Sequence, residues 1–399
     1  MPDAPCKQKR DELTMESPRA LYIHVPFCRA KCRYCDFYSR PLDEAAAHLY
    51  VDAAVSQLTS LTANSVMTIP LQSVFLGGGT PTALGRDLLD PILAAMAPMI
   101  DFQTEFSVEA NPGAFDADLC QTLLARGVNR LNFGVQSFQD GELAVLGRIH
   151  SASQADECIH LARSAGMTSI GLDLIYAIPG QTVHTWRDSL RRAFDLGVDH
   201  LSCYALSFEH GTPLDADRQA GRVTEMDEGL QRELYYLTIE QTAAAGLEHY
   251  EISNFARPGR QCVHNLTYWN NLPYAAVGPA AASYIGGVRR TNSPDVAAWA
   301  SAVLAGQDPP HEQESLPHRL RMAETLMLGL RMIEGVDCAS FTARFGEDPR
   351  AAFPESIGRY LQQGAIVMDG TNLRLAQWAL FGADTVLADI VAEGIAEEK

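Results

Sequence analysis

Between residues 21 and 253 the chain alternates short β-rich runs with longer helical ones. The strand-like runs are LYIHV (21–25), QSVFL (72–76), EFSVE (105–109), RLNFGVQ (130–136), SIGLDLIY (169–176) and HLSCYAL (200–206), and HYEIS (249–253) reads as an edge strand. Between them, apolar residues recur at helical spacing in DEAAAHLYVDAAVSQLTSL, DLLDPILAAMAPMI, DADLCQTLLARG and SQADECIHLARSAG. Gly127 and Gly166 stand where helix C-caps are expected. Repeated β–α alternation predicts an α/β fold with a parallel sheet and helices outside it.

A flat parallel sheet covered on both faces needs strands that are apolar throughout. Several strands here alternate instead. Ser107 and Glu109 share one face of their strand, as do Asn132, Gly134 and Gln136, and Gly171 and Asp173. Phe106, Val108, Leu131, Phe133, Val135, Leu172 and Leu174 take the opposite faces. Small and polar groups converging from separate strands predict a partial, TIM-like barrel of (β/α)6 type over 21–255, with a hydrated or ligand-filled interior.

Past residue 255 the pattern changes. Residues 256–315 are rich in Gly, Pro, Asn and aromatics and read as a connecting segment with short strands. Residues 316–399 form a smaller α+β unit, whose tail reads helix, two strands turning at Asp369-Gly370, and helix, a winged-helix-like order. Residues 1–20 read as a short tail.

With 399 residues, 47% hydrophobic and 20% charged, the chain can bury a substantial core. Its net charge of -18 tells against a nucleic-acid footprint and against charge-driven adsorption to anionic lipid. No signal-peptide h-region or bilayer-length apolar run is present, so the expected location is cytoplasmic.

Three of the nine cysteines, Cys28, Cys32 and Cys35, crowd into PFCRAKCRYCDFYS; the rest are scattered. This is a metal pattern in a reducing compartment rather than a disulfide framework. Following the first strand, the loop falls at the C-terminal mouth of a barrel, where such folds place their sites. Zinc sites ordinarily take a second cysteine pair, which is missing. Three thiolates on a [4Fe–4S] cluster would leave one iron open to a small molecule. A structural zinc or iron–sulfur site stays open as an alternative.

CRAKCRYC resembles the signature of the radical S-adenosylmethionine (SAM) superfamily, C-x3-C-x2-C with an aromatic, Tyr34, before the last cysteine. FLGGGTP (75–81) resembles its glycine motif. The resemblance implies a barrel of the radical SAM type and a [4Fe–4S] cluster on Cys28, Cys32 and Cys35, with SAM on the open iron. More narrowly, YIHVPFC, GGGTPT, VEANP, NRLNFGVQSF, LGRIH, LDLIYAIPGQT and YEISNFARPG resemble the coproporphyrinogen III dehydrogenase-like (HemN/HemW) branch over nearly the whole chain. That likeness puts Tyr22, Tyr34, Gly78, Gly79, Thr80, Glu109, Gln136, Arg148 and Asp173 on SAM-contacting positions.

Within the branch, the chain is most similar to the haem-chaperone group. The dehydrogenase group carries a fourth cysteine where this chain has Phe37, and it has a longer N-terminal arm. HNLTYW (264–269) resembles the H-N-x-x-Y-W motif of the chaperones. His264 would then offer an axial ligand to haem, and Tyr268 and Trp269 flat faces, with Cys262 a competing ligand. A hydrogen-bonded loop anchor is the plain alternative for this His. The resemblance implies haem as cargo, haem-accepting proteins as partners (respiratory-chain haem proteins among the candidates), an electron donor if SAM is cleaved, and a conceivable homodimer. The alternative function is a radical SAM oxidoreductase acting on a tetrapyrrole.

Overall fold

The computed structural model describes residues 17–64 and 66–396; Cys6 and residues 1–16 of the expected tail lie outside the described residues. Six parallel strands lie side by side in chain order: β1 (Ala20–Val25), β2 (Ser73–Gly78), β3 (Glu105–Ala110), β4 (Arg130–Gln136), β5 (Ser169–Tyr176) and β6 (His200–Ala205). These are the six strands that the alternation predicts.

Both edges of the sheet are extended. The HYEIS strand is present as β7 (Glu248–Glu251), but it does not pair with β6. A short strand, β8 (Asn254–Ala256), runs antiparallel between them. At the other edge β9 (Ala275–Val277) pairs parallel to β1. The connecting segment, expected to hold short strands, therefore adds strands to the barrel wall, and the strand order is β9-β1-β2-β3-β4-β5-β6-β8-β7. Its short apolar run, AAV, carries no signal of the pairing with β1.

The helices begin and end where their capping chemistry dictates. Asp43 accepts from the Ala46 N–H at the start of α1 (Glu44–Ala63). Ser151 and Gln154 form a reciprocal capping box on the helix Ala152–Ser164. Gly127 and Gly166, at φ +88° and +102°, turn the chain out of their helices. The outward strand residues Phe106, Val108, Leu131, Phe133, Val135, Leu172 and Leu174 are fully buried against the helical layer. Their alternates are thereby left to face the barrel interior.

The C-terminal unit has the expected order. Helix Pro354–Gln363 leads into strands Ile366–Asp369 and Asn372–Leu375, which turn through Gly370, and helix Ala383–Ala396 follows. Val336–Asp337 adds a third strand. Buried Glu393 accepts from the Ser356 N–H at 2.7 Å and fastens the two helices together. Among the described residues no helix is long and apolar enough to cross a membrane.

Candidate functional site

The three-cysteine loop leaves β1 at its C-terminal end, and two kinds of contact hold it. The Arg40 and Leu42 N–H groups donate to the Pro26 and Cys28 carbonyls at 2.8 and 2.9 Å. The Gly79 and Thr80 N–H groups reach back to the Val25 and Phe27 carbonyls, both at 2.8 Å. This close approach is why glycine is needed: a Cβ on Gly79 would lie 2.6 Å from the Phe27 carbonyl oxygen. On Gly78, at φ +104°, it would lie 2.5 Å from the His24 ring. All three thiols are free and half-buried.

Around the thiols sit donors that suit thiolates. Arg148 Nη1 donates to Cys32 Sγ at 3.2 Å, and Thr80 Oγ1 to Cys28 Sγ at 3.6 Å. Arg148 is not the solvated arginine of the plain reading. Gly147, at φ +71°, turns the chain out of its helix, and the guanidinium binds the Gly134 carbonyl within the barrel. Its Nε is buried without a partner. Among the described residues no three His, Cys, Asp or Glu side chains gather tightly enough for a single metal ion. A cubane takes each thiolate on its own iron and tolerates a wider spread. These donors and this loop therefore fit a cluster held on Cys28, Cys32 and Cys35.

Below the loop opens a cavity of about 470 Å³. Tyr34, Cys35 and Phe37 line its mouth; Glu109, Asn132, Gln136 and Asp173 line its walls. The inward set read from strand alternation is thus brought together. Gly134 and Gly171 make the space: a Cβ on the first would lie 2.9 Å from the Gln136 amide, on the second 2.4 Å from Asn132 Oδ1. Gln136 itself sits at φ +70°, where the β4–β5 register shifts.

The cavity wall holds two carboxyls away from bulk water. Glu109 accepts from the Gly78 N–H at 3.1 Å, yet burial, aided by Asp173, pushes its carboxyl up to about 8. Burial also raises Asp173, although Asn132 Nδ2 donates to it at 2.7 Å. A cationic ligand amine would relieve both. An ammonium only donates, so any backbone contact to such an amine would use carbonyl oxygens; the Gly78, Gly79 and Thr80 N–H groups bond protein acceptors instead.

Tyr22 stands apart from this set. It does not line this cavity; its hydroxyl pairs with His24 Nδ1 at 3.1 Å, and its ring lies against Phe75 and His264. Also missed were Arg130, His200, Ser202 and Tyr204, which line the cavity too. The period-2 signal that found Asn132 and Asp173 is present in HLSCYAL, where His200, Ser202 and Tyr204 share one face.

The structure encloses the HNLTYW segment. His264 is buried, with Nδ1 on Ser73 Oγ at 3.0 Å and Nε2 on the Tyr268 hydroxyl at 2.8 Å. Burial lowers its pKa to about 3. Neither ring nitrogen is open to iron. The faces are also taken: Tyr268 packs edge-on to Tyr274 at 4.6 Å, and Arg331 covers Trp269 at 4.8 Å. The motif is a knot that ties the helix Val263–Trp269 to β2. Cys262 does line the deep end of the cavity, but burial and Glu105 push its thiol up to about 12 and hold it neutral.

A parallel half-barrel with a three-cysteine loop at its mouth and a polar cavity beneath defines a radical SAM protein. The Radical SAM superfamily model matches residues 22–193, and the HemN C-terminal domain model matches residues 316–381. That superfamily brings a [4Fe–4S] cluster and SAM as cofactors. Haem chaperone HemW of Bacillus subtilis (strain 168) is 34% identical over 357 residues, 87% of this chain and 92% of its own. HemW of a Synechocystis strain is 38% identical over 335 residues, 81% of this chain and 80% of its own. The chain belongs to the HemW family. The structure of coproporphyrinogen III oxidase (HemN) from Escherichia coli superposes with a TM-score of 0.81 at 20% identity, covering 98% of this chain and 93% of that one, which establishes the shared fold.

Proposed function

We propose that the protein is a haem chaperone, binding haem and handing it to acceptor proteins. The observation that carries the reading is likeness to HemW proteins along nearly the whole chain. The site chemistry supports it, with Phe37, an exposed ring, standing beside the cluster loop where the dehydrogenase group has cysteine. Cys28, Cys32 and Cys35 would hold the [4Fe–4S] cluster, which with three protein ligands would leave one iron open to SAM. Tyr34, Glu109, Gln136 and Asp173 would enclose SAM from the cavity wall, with Gly78, Gly79, Thr80 and Arg148 placed between it and the cluster. Tyr22 would act one layer behind, through His24.

The same reading divides the chain into a barrel, a bridging segment and a docking unit. It places the protein in the cytoplasm, with haem-accepting proteins, respiratory ones among them, as partners. It includes no nucleic-acid partner. An electron donor enters only if SAM is cleaved, and a homodimer remains part of the proposal. Haem titration of the cluster-loaded protein tests the reading: saturable binding with a shifted Soret band is expected, and its absence would remove haem as cargo.

A further inference from the structure

The barrel cavity is lopsided in charge. Its lining holds Asp36, Glu109, Asp173 and Glu209 against Arg130 alone. Arg130 is already committed: it lies 3.8 Å from Glu105 and donates to the Arg260 carbonyl at 3.0 Å. Arg148, outside the lining, donates to Cys32 Sγ at 3.2 Å and to the Gly134 carbonyl. Asp36 is exposed and Glu209 half-buried, both on loops at the mouth. Glu109 and Asp173 stand deeper, on β3 and β5. Asp173 accepts from Asn132 Nδ2 at 2.7 Å; Glu109 has only the Gly78 N–H, at 3.1 Å.

Among the described residues no cation pairs with Glu109. From β1, His24 accepts from the Tyr22 hydroxyl at Nδ1 and donates from Nε2 to the Tyr38 carbonyl, and burial keeps it neutral. From β6, His200 is bonded through Nε2 to the Tyr250 hydroxyl and is also held neutral by burial. From the helix Val263–Trp269, His264 and Tyr268 bond each other at 2.8 Å, both uncharged. From β5, Asp173 adds a second acid, whose repulsion, after burial, pushes the Glu109 carboxyl up to about 8. An ionised Glu109 would be desolvated, beside a like charge and without a counter-ion, so its proton stays until a cation arrives.

SAM brings such a cation. Its sulfonium carries a positive charge at every pH, whereas S-adenosylhomocysteine, the same molecule without the sulfur-bound methyl, has a neutral thioether. Attraction inside a low-dielectric cavity acts beyond contact distance. We infer that Glu109 tells the two apart: SAM enters with loss of the Glu109 proton, while S-adenosylhomocysteine leaves that proton in place. The exchange balances, one carboxyl O–H bond breaking and one proton passing to solvent for each sulfonium taken in.

This rests on SAM occupying the cavity, and the two fail differently. Both ligands are titrated anaerobically by calorimetry into cluster-loaded wild type, Glu109→Gln and Asp173→Asn. Phosphate and Tris buffers are compared, since their different ionisation heats count the protons exchanged. The ligands share one α-amino group, so any proton it sheds cancels between them. At pH 7 wild type should release about one more proton with SAM than with S-adenosylhomocysteine, and Glu109→Gln none. The wild-type preference for SAM should widen about three-fold or more from pH 6.5 to 7.5 and level off above 8, and it should stay flat in Glu109→Gln. The wild-type comparison stands whether or not a variant folds. Equal proton release by both ligands in wild type overturns the inference while SAM binding stands. So does a difference that survives in Glu109→Gln and vanishes in Asp173→Asn. No saturable SAM binding by wild type overturns the placement of SAM, and the inference with it.

Discussion

Replacing Glu109 with Gln removes the one carboxyl whose protonation the cavity most clearly controls. Its pKa stands at about 8 against an ordinary 4.5, from burial first and Asp173 second. The folded chain therefore keeps a proton that the unfolded chain releases. Stability contributed by this group is fully present below pH 4.5, falls as pH rises from 4.5 to 8, and is flat above. The full shift corresponds to about 4–5 kcal/mol; discounted for water in the cavity, about 2–4 kcal/mol is the working range. For a chain of this length that is about 3–5 °C in melting temperature. Glutamine keeps an oxygen for the Gly78 N–H, so the variant should fold. Melting of SAM-free, cluster-loaded protein across pH 5 to 8.5 should show this decline in wild type and its loss in Glu109→Gln. Difference infrared spectra should show a protonated carboxyl band in wild type at pH 7, absent from the variant. Equal pH slopes in the two proteins, with no such band, would refute the reasoning.

Three further outcomes follow from the same geometry. Cys28→Ala should lose most of the roughly four irons per chain of a [4Fe–4S] cluster after anaerobic reconstitution, read by iron and sulfide assay; one tightly held zinc would contradict the cluster. Gly79→Ala sets a methyl 2.6 Å from the Phe27 carbonyl oxygen, so it should cost about 1–3 kcal/mol and lower iron retention without touching a ligand, checked by denaturant titration and iron content. His264→Ala breaks two buried hydrogen bonds and opens a cavity, a loss of about 2–4 kcal/mol by denaturant titration. Because His264 stays neutral down to about pH 3, its contribution in wild type should also fade as pH drops below 6.5, when the unfolded chain takes the proton first.

The barrel was legible because its physics is periodic. Strands that bury one face against helices and turn the other into a cavity alternate, and the alternation alone singles out Glu109, Asn132, Gln136 and Asp173. Extensions of the sheet were not legible, since β8 and β9 are three residues long and their pairing is decided by distant partners. The glycines of FLGGGTP were read by their likeness to a motif, and glycine leaves room for a neighbour. In the fold most of that room is taken by His24, Phe27, Glu109 and Gln136, which only the packed structure can show. The bonds that hold His264 were hidden for a related reason. Sequence displays an imidazole beside aromatics, but whether its nitrogens are spent depends on Ser73, 191 residues away.

On the proposed function, this half-barrel carries a tetrapyrrole rather than transforming one. The direct measurement is mass-spectrometric product analysis after anaerobic incubation of cluster-loaded protein with SAM, a strong reductant and coproporphyrinogen III. The account predicts no decarboxylated tetrapyrrole beyond a single turnover, from protein that binds haem saturably in the same buffer. Multiple turnovers to the decarboxylated product would contradict it and make the protein a porphyrinogen-oxidising enzyme.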